Sequence, residues 1–153
     1  MLDLLVNSLR MRPDRIIIGE VRSHEAFDLL QAMNTGHEGT MSSVHANSAA
    51  DCLARLETLV LLSNEGLPLP AIKSQISSAV DIVIQLQKDR DGIRYISEIV
   101  EITGMEAGNL LLQTIGSYDH DQKKLVKTRL ASRNIKKLNE SSGLPMDFFN
   151  LED

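Results

Sequence analysis

Arg15-Ile-Ile-Ile-Gly-Glu-Val-Arg22 and Gly36-His-Glu-Gly-Thr-Met-Ser-Ser-Val-His-Ala-Asn-Ser48 are the two stretches whose reading decides the fold. Each is an apolar run ending in a loop with a chemically reactive side chain, Glu20 in the first and His45 in the second. Between them Ala26, Leu29, Leu30 and Met33 recur at helical spacing over His24 to Asn34, so the order is strand, helix, strand. A strand joined through a helix to a parallel neighbour crosses over right-handedly, and both strands then point the same way. Glu20 and His45 are therefore expected on one rim of a parallel sheet, at the carboxyl ends of its strands, where ligands bind. A carboxylate beside an imidazole suits activation of a water molecule and contact with a developing anion. Spacing alone leads to a hydrolase-type rim and no further. An acid at position 20 also suits a plainer task, complementing the amino end of the next helix.

Composition narrows the classes. A chain of 153 residues, 42 % hydrophobic, can bury one core. Its net charge of −5 offers no basic field for a phosphate backbone, which argues against nucleic acid as the main partner. Two tyrosines, three phenylalanines and no tryptophan leave little for base stacking. The single cysteine, Cys52, can form neither an internal disulfide nor a cysteine-based zinc cluster. Beside the apolar stripe of its helix, it is expected to be a buried, inert thiol. No apolar run approaches the length of a membrane span, and Met1 to Leu5 lacks the basic start of a secretory signal. A cytoplasmic location is expected.

Leu2, Leu5, Val6 and Leu9 lie at helical spacing until Pro13 stops the pattern. A chain that opens inside a helix, with no cap or leading strand, is expected to be the carboxyl-terminal portion of a larger domain. Ile16 to Ile18 reads as a strand covered on both faces, with Gly19 allowing a tight exit. Ala49 to Leu62 is a helix with Leu53, Leu56, Leu59 and Val60 as its stripe. Gly66, Pro68 and Pro70 interrupt it, and Ala71 to Ser78 forms a shorter helix carrying Ile72 and Ile76. From Val80 the period becomes two, with Val80, Ile82, Ile84 and Leu86 as the buried face against Asp81, Gln85 and Gln87. Asp91-Gly92 turns the chain into a returning strand over Ile93 to Ile102, and Gly104 to Asn109 leads to a third strand over Leu110 to Tyr118. Beyond Asp119 the apolar density falls: Lys123, Lys124, Lys127 and Arg129 read as a solvated cluster, Ala131 to Glu140 as a polar helix, and Ser141 to Phe149 as a hydrophobic tail. The fold class is α/β, parallel strands with an antiparallel extension, over residues 1–118, followed by a polar helical tail over 119–153.

Leu9-Arg-Met-Arg-Pro-Asp-Arg-Ile-Ile-Ile-Gly-Glu-Val-Arg22 resembles the Walker B segment of the secretion and pilus-assembly traffic ATPases, and Gly36 to Ser48 resembles their histidine box. Ala32-Met-Asn-Thr-Gly-His37, Arg55-Leu-Glu-Thr-Leu59 and Ile102-Thr-Gly-Met-Glu106 are also similar, most closely to the CpaF-like group that drives tight-adherence (Flp-type) pili and related type II/IV secretion machines. This resemblance implies the carboxyl-terminal part of a RecA-like P-loop ATPase domain. It implies ATP and Mg2+ as ligands, with Glu20 polarising the attacking water and His45 sensing the terminal phosphate. Arg22 and Gly19 join the nucleotide site. Gly19 stands where many P-loop enzymes have an aspartate assisting magnesium, so the metal contribution of this segment is indirect. The implied assembly is a hexamer at the cytoplasmic face of the inner membrane, working with platform proteins and pilin or a secreted substrate.

None of the nine glycines is followed by lysine, so the glycine-rich phosphate loop has no counterpart in these 153 residues. The chain alone is expected to neither bind ATP tightly nor hydrolyse it. The alternative from another class is a non-catalytic assembly module of the same machine. A metal hydrolase using His37 and His45 is disfavoured, because His37-Glu-Gly-Thr-Met41 lacks the helical spacing of zinc sites, and no metal ligand is assigned.

Overall fold

Two short parallel strands, Ile17–Ile18 and Met41–Ser42, form the rim on which the rest depends. The structure, a computed structural model, describes residues 2–63 and 66–150, with Leu2 described for its backbone only. Residues 151–153 of the expected tail lie outside the described residues. In order, the elements are α1 (Leu2–Arg10), β1 (Ile17–Ile18), α2 (Glu25–Asn34), β2 (Met41–Ser42), α3 (Ala49–Ser63), α4 (Leu69–Ala79), β3 (Ile82–Lys88), β4 (Arg94–Glu106), β5 (Asn109–Asp119), β6 (Lys124–Lys127) and α5 (Ile135–Ser142). The chain divides into two compact units, one running to Val80 and taking in 105–110, the other comprising Asp81–Gly104 and the chain from Leu111.

In the first unit Ile17 lies opposite Met41 and Ile18 opposite Ser42, in parallel. The pairing extends past both ends, through Met41 N–H to the Ile16 carbonyl and Val21 N–H to the Ser43 carbonyl, both 2.9 Å. Helices α2, α3 and α4 pack on one another around Leu30, Val60, Ile72 and Ile76, all fully buried. Burying aliphatic side chains of this size is worth about 1.5–3 kcal/mol each relative to exposure. Asn34 fastens α2 to α4, its Nδ2 donating to the Gln75 carbonyl at 3.2 Å and its Oδ1 accepting from Ser78 Oγ at 2.8 Å. The stripe of α3, Leu53, Leu56, Leu59 and Val60, is buried as its spacing predicts. Helix α4 starts at Leu69, two residues before the expected Ala71, because a proline in the first turn has no N–H to leave unpaired there.

Three expectations for this unit need correction. Ile17 is 70 % exposed, so β1 is covered on one face only: in a two-stranded sheet, no further strand or helix among the described residues covers the other side. In α1, Leu5 is buried but Val6 is exposed. Gly19 adopts no left-handed backbone, and a Cβ there would meet nothing within 4 Å, so a tight exit does not explain it. The glycines that geometry does favour are Gly36 and Gly39, at φ +97° and +78°, and at Gly39 a Cβ would also come within 2.8 Å of Arg15 Nη1.

The second unit is built on a four-stranded sheet in the order β3-β4-β5-β6, with β3 and β6 antiparallel to their neighbours. The face expected of β3 is reversed. Ile84 and Leu86 are 54 % and 62 % exposed while Gln85 is buried. As an edge strand, β3 pairs with β4 alone, and a bulge between Gln85 and Leu86 shifts its register. Strand β4 runs on to Glu106, so the expected six-residue connection becomes a tight turn at Ala107 and Gly108, both at positive φ (48° and 80°) as a type I′ hairpin demands. β6 falls in the stretch read as a solvated lysine cluster, and the polar helix is displaced from Ala131–Glu140 to Ile135–Ser142. Glu101, fully buried, organises the segment after β6: Oε1 accepts from Ser132 Oγ (2.7 Å), Asn134 Nδ2 (3.0 Å) and Asn134 N–H (3.2 Å), and Oε2 from Arg133 N–H (2.8 Å).

Candidate functional site

Because β1 and β2 run in parallel, the segments leaving them emerge side by side. Glu20 follows β1 by two residues and His45 follows β2 by three. Their side chains meet, His45 Nε2 lying 3.0 Å from Glu20 Oε1. Arg22 closes on the other carboxylate oxygen, Oε2, through Nη2. The side chain of Glu20 is 19 % exposed, whereas those of Arg22 and His45 are 72 % and 80 % exposed, so the acid is sheltered beneath two groups that face solvent. The Arg22 hydrogen bond is the main reason the Glu20 carboxyl lies below its ordinary range; partial burial opposes it, and the charges of Arg22, His45 and Arg55 reinforce it. Arg22 is raised in turn by Glu20. Glu20 is thus an ionised acceptor at neutral pH with both oxygens engaged.

Gly19, the fourth residue expected here, contributes backbone: its carbonyl accepts a hydrogen bond from Ser43 Oγ, tying the exit of β1 to that of β2. Two supporting residues are not singled out by the sequence. Ser43 reads there as no more than a small polar neighbour of His45, yet it bridges the strands through both its hydroxyl and its carbonyl. Glu25, at the start of α2, is buried, and its Oε1 accepts the N–H groups of Arg22 (2.8 Å) and Ser23 (3.2 Å). Those backbone bonds hold its carboxyl below the usual range. The helix-end task conceivable for Glu20 belongs to Glu25, and the signal was present as an acid in the first turn of a helix.

Beside His45 a cleft of about 410 Å³ opens between the loop after β2 and one face of α3, lined by His45, Asn47, Asp51, Arg55 and Thr58 among others. Ser48 caps α3, accepting the Asp51 N–H at 3.1 Å. At His37 the backbone carbonyl accepts from Thr40 Oγ1 at 2.7 Å, and the buried Nδ1 of its ring has no hydrogen-bond partner among the described residues. No cluster of three or more His, Cys, Asp or Glu suited to a metal ion occurs among the described residues. Cys52 is half-buried rather than buried, and desolvation pushes its thiol upward.

Residues 1–136 match the family model described as Type II/IV secretion system protein. A Mycobacterium tuberculosis protein named for conjugal transfer is 46 % identical over 103 residues, a match covering 67 % of this chain and 29 % of the relative. The conjugal transfer protein TrbB of Rhizobium radiobacter is 40 % identical over 101 residues, covering 66 % and 30 %. Among solved structures, the VirB11 ATPase of the Brucella suis type IV secretion system, in complex with sulphate, superposes with a TM-score of 0.59 at 37 % identity, covering 63 % of this chain and 30 % of that one. The architecture is accordingly part of a RecA-like α/β domain, and the chain spans about three tenths of the length of these relatives.

Proposed function

The chain belongs to the type II/IV secretion system protein family, and from that premise we propose that it is the Walker B and histidine-box portion of an ATP-hydrolysing secretion motor. The observation that carries this reading is the contact of Glu20 with His45 at the carboxyl-end rim. In the proposed reaction Glu20 orients a water and takes its proton as the water oxygen attacks the terminal phosphorus and the bond to the departing ADP oxygen breaks. In the resting arrangement neither Glu20 oxygen is available, one being held by Arg22 and the other by His45. A terminal phosphate offers both donors a stronger acceptor, drawing them off and releasing Glu20 Oε1 to the water. His45 then reports whether phosphate is present.

The residues fit the reacting end of a nucleotide site and not its cradle. A sheltered acid beneath two exposed donors faces the place where charge develops, while no Gly-Lys pair exists to wrap the phosphates. Mg2+, when bound, would neutralise phosphate charge; Gly19 gives it no side chain, which leaves its ligands to other parts of a longer protein. The CpaF-like, pilus-driving branch is the finer form of the proposal and rests on the quoted motifs, since the relatives carry conjugation and type IV secretion names. A hexamer on the cytoplasmic face of the inner membrane, acting on platform proteins and a pilin or secreted substrate, belongs to the same proposal; no helix among the described residues is long and apolar enough to cross a membrane.

A chimaera joining the amino-terminal part of the Brucella suis VirB11 to this chain tests the reading. Its ATP turnover should fall about 10²–10⁴-fold on Glu20→Gln with nucleotide binding retained. Parental turnover in that variant would sink the role of Glu20. By itself the chain should show no saturable binding of Mg·ATP at low micromolar concentration by titration calorimetry. The lack of a Gly-Lys pair and the exposure of Ile17 and Met41 favour, for the chain in isolation, a second reading as an assembly module.

A further inference from the structure

Apart from His45, the residues lining the cleft have no part in the proposed hydrolysis step, and the most conspicuous of them is Arg55. Arg55 lies on α3, exposed, and makes no ion pair among the described residues. It lines the same cleft as His45, and its charge reaches Glu20. Asn47 and Thr58 add an amide and a hydroxyl to the walls. One carboxylate, Asp51, also lines it, one turn before Arg55 on the helix. A guanidinium with no carboxylate partner, beside an imidazole and small donors, matches a tetrahedral oxyanion, whose several acceptor oxygens can take a forked donor and a ring N–H together.

We propose that this cleft is an oxyanion subsite, with Arg55 and His45 as its donors, and that its ligand is inorganic phosphate. Its place in the reaction rests on the ATPase reading: phosphate cut from the nucleotide at Glu20 moves past His45 on to Arg55 before it leaves. The subsite itself stands on the cleft alone, so the two can fail separately. Arg55 is the guanidinium that lines the cleft and offsets Asp51 there. Without it, Asp51 would face an incoming anion with no guanidinium or ammonium lining the cleft to offset it.

The experiment is a titration of the purified 153-residue chain with inorganic phosphate at constant ionic strength, followed by the side-chain NMR signals of His45 and Arg55. Both should shift together and saturate in the millimolar range, and chloride should not reproduce the shifts. Arg55→Gln should weaken the His45 response about tenfold or more, while Arg55→Lys retains a measurable part of it because the charge stays. Backbone amide spectra of both variants establish that the fold is kept. A His45 response that Arg55→Gln leaves unchanged, or no saturable response in the parent chain, overturns the subsite. In the chimaera the same variant should raise the phosphate concentration needed for product inhibition about tenfold and leave inhibition by ADP as it was. A chimaera that hydrolyses no ATP, with phosphate still titrating His45, would remove the ATPase reading and leave the oxyanion subsite standing.

Discussion

At the scale of single residues, the site is a carboxylate held between two donors, and that makes its titration informative. The folded-state value for Glu20 is depressed, chiefly by the Arg22 hydrogen bond. The sign is then fixed: the linked stabilisation is complete above the ordinary carboxylate value and is lost as pH falls through the lowered one. A carboxyl-carbon NMR titration should give Glu20 a midpoint below that of a solvated glutamate, and Arg22→Gln should move it up. A midpoint indifferent to Arg22 would mean the pair does not persist in solution. Glu25 makes a second case, since it holds the Arg22 and Ser23 amides and thereby the loop bearing Arg22. Glu25→Ala should cost about 1 kcal/mol of stability, as loss of a helix-end acceptor does, with faster amide exchange at Arg22 and Ser23 as the readout. That Glu20 and His45 meet can be read from the chain because parallel strands convert sequence position after a strand into position along a rim, whereas Arg22 comes only from the motif. Glu25 and Ser43 stay hidden because their work is done on backbone atoms, which one-dimensional motifs do not name.

At the scale of elements, the legible part is what periodicity reports. The strand-helix-strand order and the α3 stripe come through because a helix covered on one side must repeat its apolar positions every three to four residues. Strand β3 obeys its period of two, but period does not say which face is covered, and an edge strand with a bulge turns Ile84 and Leu86 outward and Gln85 inward. Glu101 is hidden for a related reason. Between Val100 and Ile102 it resembles the solvent half of an alternation, whereas its partners Ser132, Arg133 and Asn134 arrive from more than thirty residues away. Glu101→Leu would leave the buried Ser132 hydroxyl and the part-buried Arg133 and Asn134 donors without that acceptor, and should lower stability by about 1–3 kcal/mol in urea denaturation, the cost of an unsatisfied buried group. Ala107→Gly runs the other way. Alanine at φ 48° bears the left-handed penalty that glycine escapes, so the substitution should be neutral or stabilising by up to about 1 kcal/mol, in contrast to the usual cost of glycine in a chain.

At the scale of the whole molecule, the exposed faces bear on how the chain behaves in solution. Ile17 and Met41 are opposed in register, share one face of the parallel pair, and are 70 % and 51 % exposed. Leu4 is exposed as well, and with Leu5, Pro13 and the β1 isoleucines it lines a groove of about 330 Å³ along the same strand. A soluble monomer seldom leaves large apolar side chains contiguous in this way, because each retains the transfer free energy that burial would release, on the order of 1.5–3 kcal/mol. The 153-residue chain should therefore self-associate, with a sedimentation coefficient that rises with concentration. Replacing Ile17 by Thr and Met41 by Gln removes apolar area while Thr keeps a β-branched residue in the strand, so the pair should weaken association about tenfold or more with the helical circular dichroism unchanged. Neither change alters a group that contacts Glu20, so the titration of that carboxyl should be the same in parent and variant. A parent chain that sediments as a monomer at the highest attainable concentration would mean that the open face of this sheet costs less in water than its area requires.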